Sequence, residues 1–185
     1  MKDRLGIFLM NWRVRVVLPY LRGDVLDIGC GTNELLETYK AKHGECYTVG
    51  IDVYPWEGVD HVVPNSAVLP FEDKSFDTVC CIAALNHIPE REAVLRETWR
   101  VLRPKGRLVL TMLPPVISYV WHTLRAPWDA DQHERGMSEG EVLGFTQKEI
   151  LNLLCNADFA LRESRPFMWG VNRLYVAEKS AKDLI

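Results

Sequence analysis

A ten-residue stretch near the start of the chain constrains the fold more than any other. Residues 25–34 read VLDIGCGTNE, an apolar run that ends in an acid and is followed by two glycines at alternate positions. The run 25–28 is short, apolar and bounded by turns that contain glycine, which is typical of a buried parallel strand. Gly29 and Gly31 allow a tight turn and a close approach of the backbone to a ligand. The stretch therefore predicts a strand, a glycine turn and a helix that form a nucleoside- or nucleotide-binding corner.

The residues after the glycines predict how the helix begins. Thr32 and Asn33 are both favourable N-cap residues, and one of them is expected to cap a helix that carries Leu35, Leu36 and Tyr39. Free N–H groups at the start of that helix would point at a ligand over the glycines.

Charged residues around the glycines indicate which ligand suits the corner. A dinucleotide fingerprint has a third small residue where this chain has Glu34, which would repel a pyrophosphate. Asp27, at the end of the strand, suits an ammonium better than a phosphate. S-adenosylmethionine has an ammonium, a carboxylate and a sulfonium but no phosphate, so it fits these charges. The alternative is an ordinary strand–turn–helix with structural glycines, because short glycine motifs also occur without a ligand.

A second acid strengthens this interpretation. Residues 47–52 read YTVGID and predict a strand that ends in Asp52, 25 residues beyond Asp27. This spacing is close to that at which such folds place a carboxylate on the two ribose hydroxyls. A carboxylate suits a diol because it accepts hydrogen bonds from both hydroxyls.

Composition limits the possible functions. The 185 residues are 48% hydrophobic and 25% charged, as in a soluble globular protein of one domain, 1–185. The formal net charge of −3 gives no electrostatic footprint for DNA or RNA, so no nucleic-acid partner is expected. The five cysteines form no C-x-x-C pair, which predicts free thiols in a reducing cytoplasm, without a disulfide framework or a metal site.

The rest of the chain alternates between strand and helix patterns. A helix is expected from about 88 to 103, ended by Pro104-Lys105-Gly106, and Thr146 with Glu149 forms a capping box for another. The later strands, of which the last two form a closing hairpin, are predicted at 59–63, 78–82, 107–112, 159–165 and 172–177.

Two segments lie outside this alternation. Residues 1–22 predict an apolar covering helix with a basic edge; a lid or a lipid contact is the alternative, which the uneven hydrophobic pattern disfavours. Its apolar run is interrupted too early for a signal peptide or a membrane span. The aromatic-rich segment 113–145 follows a strand end, so it is either a substrate lid or a peripheral loop.

The order of these elements resembles the class I S-adenosylmethionine-dependent methyltransferases. The chain looks most like the group that includes ubiquinone- and menaquinone-pathway enzymes and many small-molecule methyltransferases. Three motifs carry the resemblance, DIGCG at 27–31, LPFEDKSFD at 69–77 and RETWRVLRPKGR at 96–107. The resemblance implies an α/β fold with a Rossmann-like, mostly parallel sheet of seven strands, helices on both faces and an antiparallel last strand. It also implies S-adenosyl-L-methionine as the cofactor.

The resemblance further assigns cofactor-binding residues. Asp27 and the glycine turn would face the methionine moiety, and Asp52 the ribose. Asn65 stands where an acid is often found, although its amide oxygen can still accept from the adenine amino group. The whole implied set comprises Asp27, Gly29, Cys30, Gly31, Asp52, Val53, Asn65, Ser66 and Ala83.

We expect a cytoplasmic methyltransferase for a small, partly apolar or aromatic acceptor. The fourth strand is followed by AALN rather than Asn/Asp-Pro-Pro-Tyr, which argues against methylation of amide or base nitrogens. The catalytic residue is not identified; His87 and His133 are candidate bases, because both could reach the site and histidine titrates near neutral pH. A non-catalytic cofactor- or partner-binding module that retained the fold is the main alternative. A nicotinamide-dependent oxidoreductase is a further one, disfavoured by Glu34.

Overall fold

A seven-stranded sheet runs through the molecule. The structure, a computed structural model, describes residues 4–44, 46–117, 119 and 140–180. The strand order is β3-β2-β1-β4-β5-β7-β6; β1 to β5 are mutually parallel, and β7 is antiparallel to both of its neighbours. The strands are β1 Val25–Ile28, β2 Thr48–Asp52, β3 His61–Val62, β4 Phe76–Ile82, β5 Leu102–Met112, β6 Phe159–Phe167 and β7 Asn172–Lys179. The predicted mostly parallel α/β sheet with an antiparallel last strand and a closing hairpin is confirmed.

Helices cover both faces of the sheet, as predicted. They are α1 Arg4–Val17, α2 Glu34–His43, α3 Arg91–Val101 and α4 Gln147–Asn156. One core joins α3 and α4 to the sheet around Leu26 and Leu110, and the other joins α1 and α2 around Val25 and Val109. Adjacent residues of one strand thus serve opposite cores, which explains why β1 is buried at every position.

The strand order places a crevice beside β1. From β1 the chain moves to β2 and β3 on one side and returns to β4 and β5 on the other. Asp27 is paired with Gly50 of β2 and with Cys80 of β4, so the three strands end at one edge. Ligands of open α/β sheets bind at such a switch point, outside the carboxyl ends of the strands.

The motifs at 69–77 and 96–107 meet in a hydrogen-bonded clamp. The Arg100 guanidinium donates to the carbonyls of Leu69 and Phe71 and to the Asp73 carboxylate, at 2.7–3.0 Å. Glu97 accepts from Arg100 and from the Leu69 N–H. These partners raise the pKa of Arg100, so it stays charged. The clamp fixes the segment before β4 to α3, which makes the role of these two motifs structural.

Two local expectations differ in outcome. The capping box is confirmed, because Thr146 Oγ1 accepts from Glu149 N and the Glu149 carboxylate accepts from Thr146 N. The predicted end of the preceding helix is wrong. Helix α3 ends at Val101 and β5 begins at once, because Leu102 pairs with Phe76 before the register shifts.

The N-terminal segment is helical where the structure describes it. Helix α1 is followed by a 3-10 turn, Leu18–Tyr20, and the buried Val17 packs into the core of this face. No helix among the described residues is long and apolar enough to cross a bilayer. The segment 113–145, expected to be either a lid or a peripheral loop, falls mostly on residues 118 and 120–139, outside the described residues, and so does His133.

Candidate cofactor site

The glycine turn after β1 leaves open space above it. The N–H groups of Gly29 and Cys30 both donate to the Ile51 carbonyl, at 2.8 and 3.1 Å, which ties the turn to β2. Gly29 has a φ of 72°, and a Cβ there would lie 2.5 Å from the Ala84 Cβ. Gly31 also has a positive φ, but a Cβ on it would meet nothing within 4 Å. Gly29 therefore permits contact with the end of β4, whereas Gly31 borders a free volume.

Asp52 organises this turn from the neighbouring strand. Its carboxylate is nearly buried, at 7% exposure, and accepts from Gly31 N and from Tyr54 N, both at 3.0 Å. Sequence reasoning assigned Asp52 to the ribose and missed this second role. Each carboxylate oxygen can accept a further hydrogen bond, so the contacts leave room for ligand hydroxyls.

Asp27 is buried without a full set of partners. Its side chain is 2% exposed, and Oδ1 has no hydrogen-bond partner among the described residues. Burial, with a smaller contribution from the charge of Asp52, raises the pKa of Asp27 to about 7. A buried carboxylate oxygen that lacks a donor is costly, and a cationic ligand would supply one.

The predicted side-chain cap of α2 is wrong. Asn33 is the N-cap residue, but it has a left-handed backbone with a φ of 66° and makes no capping hydrogen bond. Its Nδ2 instead donates to the Gly58 carbonyl at 2.9 Å and to Asp60 Oδ2 at 3.1 Å. Asparagine tolerates this backbone conformation, and the turned side chain joins the glycine turn to the loop before β3.

The residues assigned to the adenine follow β2 and β3 in the chain. Val53 follows Asp52 and is 44% exposed, and Ser66 is buried. Asn65 is exposed, and its Oδ1 already accepts from Ala67 N at 2.7 Å. One acceptor position of that oxygen remains, and the adenine contact of Asn65 stays a prediction.

Ala83 occupies the end of β4 in an uncommon conformation. It has a φ of 55°, and its N–H donates to the Thr111 carbonyl at 3.1 Å. The next residue, Ala84, faces Gly29. A residue other than glycine in the left-handed backbone conformation costs free energy. Such a conformation is retained where the surrounding structure fixes it, often at functional sites.

Cys30 is not suited to act as a nucleophile. Burial and the nearby carboxylates raise the pKa of the Cys30 thiol, so it stays protonated, and its Sγ lies 3.6 Å from the Gly31 carbonyl. No cluster of three or more metal-ligating side chains occurs within the described ranges.

The turn that follows β4 contains a histidine that contacts a buried carboxylate. His87 belongs to a 3-10 turn, Leu85–His87, and its Nδ1 lies 2.9 Å from Glu141 Oε2. The Glu141 side chain is 2% exposed. Backbone contacts hold the two segments together, because Val142 N donates to the Asn86 carbonyl at 2.9 Å. Sequence reasoning missed Glu141, because it lies in an unpatterned segment and no local signal marks it.

Part of the predicted cofactor set thus meets around β1, whereas among the described residues no hydrogen bond joins it to Val53, Asn65 or Ser66. Contacts connect Asp27, Gly29, Gly31, Asp52 and the end of β4. The unpartnered Oδ1 of Asp27 fits an ammonium, and the free volume over Gly31 admits the rest of a ligand. The two carboxylates suit the ammonium and hydroxyl groups of S-adenosylmethionine and do not suit a pyrophosphate.

Comparisons with known proteins agree with this geometry. The family described as Methyltransferase domain matches residues 26–110. The chain is 31% identical to a demethylmenaquinone methyltransferase of Deinococcus radiodurans, over 84% of this chain and 75% of that protein. The chain belongs to the class I S-adenosylmethionine-dependent methyltransferases.

Two further comparisons define the reach of this likeness. The chain is 36% identical to the 27-O-demethylrifamycin SV methyltransferase of Amycolatopsis mediterranei, over 53% of this chain and 42% of that protein. It spans about half or less of the length of several curated relatives that it matches. A Haloferax volcanii putative methyltransferase, solved with the activator Trm112, has a TM-score of 0.74 and 16% identity, with 95% of this chain and 92% of that chain covered. At this identity, the comparison shows that the two proteins share a fold.

Proposed function

We propose that this chain transfers a methyl group from S-adenosyl-L-methionine to a small, partly apolar or aromatic acceptor. The observation that carries the proposal is the buried carboxylate of Asp27, whose unpartnered oxygen lies beside an open glycine turn. Relatives named for demethylmenaquinone and for a demethylated rifamycin support a small-molecule acceptor. All five thiols are free, which supports a reducing, cytoplasmic setting.

The residues of the site would mainly bind and orient. The cofactor supplies an electrophilic methyl group on a sulfonium. Asp27 would pair with its ammonium, Asp52 would accept from the ribose hydroxyls, and Gly31 would let the backbone approach closely. Holding donor and acceptor in line lowers the barrier by roughly 7–11 kcal/mol in favourable cases. Positioning is therefore the main catalytic contribution expected of this chain.

His87, in the turn that follows β4, is a candidate base. A carboxylate can only accept, so Nδ1 of His87 would donate to Glu141, and an imidazole with its single proton on Nδ1 has its lone pair on Nε2. That nitrogen can take a proton from a hydroxyl or an acidic carbon, and Glu141 would fix the tautomer and orientation. His133 remains the other candidate.

The His87→Gln variant is expected to lose turnover while keeping the cofactor. On a hydroxyl acceptor, loss of a general base lowers kcat by about 10²–10⁴-fold, whereas the affinity for S-adenosylhomocysteine should stay within about twofold. Glu141→Gln should give a smaller loss of kcat, because it still accepts from Nδ1–H but no longer stabilises the imidazolium. Steady-state kinetics with calorimetric binding separates the two effects. Unchanged kcat in both variants would exclude this pair from catalysis.

The cofactor is tested by isothermal titration with S-adenosylmethionine, S-adenosylhomocysteine and NAD. We expect micromolar binding of the two adenosyl ligands and none of NAD. If folded protein binds neither adenosyl ligand, the methyltransferase proposal is rejected and a partner-binding module that retained the fold is favoured. Binding of NAD alone would indicate an oxidoreductase.

A further inference from the structure

Apolar side chains are exposed where α1 meets the turn between β6 and β7. Leu5, Phe8 and Trp12 follow one another at helical spacing, and Trp169 of the turn completes what we name the aromatic patch. The ring centroids of Trp12 and Trp169 lie 4.7 Å apart, and those of Phe8 and Trp12 lie 5.8 Å apart. Leu5 is 54% exposed, Phe8 51% and Trp169 80%. Such a contiguous exposed cluster on a folded surface indicates an interaction site.

The two chain segments that form the aromatic patch contain basic residues and no acids. Residues 4–22 and 164–177 contain no Asp or Glu, although the whole chain has a net charge of −3. The first segment contains Arg4 and Arg15, and the second contains Arg165 and Arg173. Arg165 lies 3.2 Å from Glu163, whereas Arg4 and Arg15 form no ion pair within the described ranges. The segments that form the patch are therefore apolar and basic, although the chain as a whole has a negative net charge.

The aromatic patch lies at the same edge of the sheet as the cofactor site. Strand β7 is antiparallel to β5, and Arg173 near its start pairs with Met112 at the end of β5. The turn that carries Trp169 thus projects from the edge at which Asp27 and Asp52 lie.

We propose that the aromatic patch docks the protein on an anionic phospholipid surface. Trp, Phe and Leu side chains at the headgroup level bury apolar area, while arginines beside them bind lipid phosphates. Charge complementarity favours this occupant, because segments that contain arginines and no acids suit a membrane with negative headgroups. Sequence reasoning disfavoured lipid contact, because the pattern of α1 alone is uneven. The ring of Trp169, distant in sequence, completes the surface. Membrane docking would determine the location of the protein and is independent of the reaction proposed above.

Co-sedimentation of the full chain with vesicles tests the docking. We expect binding to vesicles of phosphatidylcholine mixed with phosphatidylglycerol, weaker binding to phosphatidylcholine alone, and loss of binding at high salt. Trp169→Ser and Phe8→Ser should each weaken binding by about tenfold. Arg15→Glu should also weaken it, whereas the matched Arg96→Glu, at an exposed arginine of α3, should not. Thermal unfolding of each variant confirms that it is folded.

Two results would overturn the proposal. The first is equal, weak sedimentation of the wild type with both vesicle types. The second is a concentration-dependent dimer in light scattering that Trp169→Ser abolishes, without any vesicle binding by the wild type. That result would assign the aromatic patch to a second copy of the chain.

Discussion

The Asp27→Asn variant is expected to stabilise the ligand-free protein near pH 8 and to weaken S-adenosylmethionine binding by more than about tenfold. The carboxylate is buried, one of its oxygens has no donor, and the charge of Asp52 acts on it. Removing the charge relieves this cost in the free protein. It also removes the group that would pair with the ammonium of the cofactor. A variant that unfolds less readily but binds the cofactor more weakly would identify Asp27 as a residue that serves binding and lowers stability.

The pH dependence of stability follows from the pKa of Asp27. Its folded-state pKa of about 7 lies above the ordinary value of 3.8, so between these values the folded state keeps a proton that the unfolded state has lost. The stability from this group is fully present below about pH 4 and is lost as pH rises through 7, by at most roughly 4 kcal/mol. The difference between wild type and Asp27→Asn should therefore vanish below pH 4 and reach its plateau above pH 7. Urea unfolding at several pH values measures it.

Cofactor binding should release a proton near pH 6.5. An ammonium beside Asp27 favours the carboxylate, so the proton held by the free protein leaves when the ligand binds. Calorimetry in two buffers of different ionisation enthalpy measures this release, which Asp27→Asn should abolish. Glu72→Gln, at an exposed acid, is the matched control and should behave like the wild type. Affinity that is unchanged in Asp27→Asn would contradict the assignment.

Local patterns sufficed to predict the sheet and the glycine turn after β1. The apolar run of β1 and the glycines after it are contiguous, and both acids stand at strand ends, so their positions follow from the strand positions. The capping box of α4 is likewise a signal within four residues. For β1 and for this capping box the determinant is local, and the prediction succeeded.

Contacts between distant segments could not be predicted in the same way. Asn33 is a residue type that often caps helices, yet its side chain donates to Gly58 and Asp60. Those residues lie in a loop whose position the sequence pattern does not predict. Glu141 meets His87 across 54 residues of chain. The end of α3 depended on the pairing of Leu102 with Phe76, which is a property of the sheet.

The Asp52→Ala variant is expected to lose about 100-fold or more in affinity for S-adenosylhomocysteine. Two effects combine, because the carboxylate both holds the glycine turn through Gly31 N and would accept from the ribose hydroxyls. Two half-buried N–H groups lose their acceptor, which should also lower the free energy of unfolding by about 1–3 kcal/mol. Asp52→Asn should recover only part of either loss, because one side of its amide is a donor that faces another donor.

A control at Asp60 separates the structural effect from the binding effect. Asp60 Oδ2 also accepts from two donors beside the turn, Gly50 N at 2.7 Å and Asn33 Nδ2 at 3.1 Å, but it has no predicted ligand contact. Asp60→Ala should therefore destabilise the protein about as much as Asp52→Ala while costing much less affinity. Equal affinity losses in the two variants would mean that Asp52 acts only through the turn. A larger loss in Asp52→Ala, at matched unfolding free energy, would leave direct contact with the ligand as the remaining cause, because the shared effect on the turn cancels in the comparison.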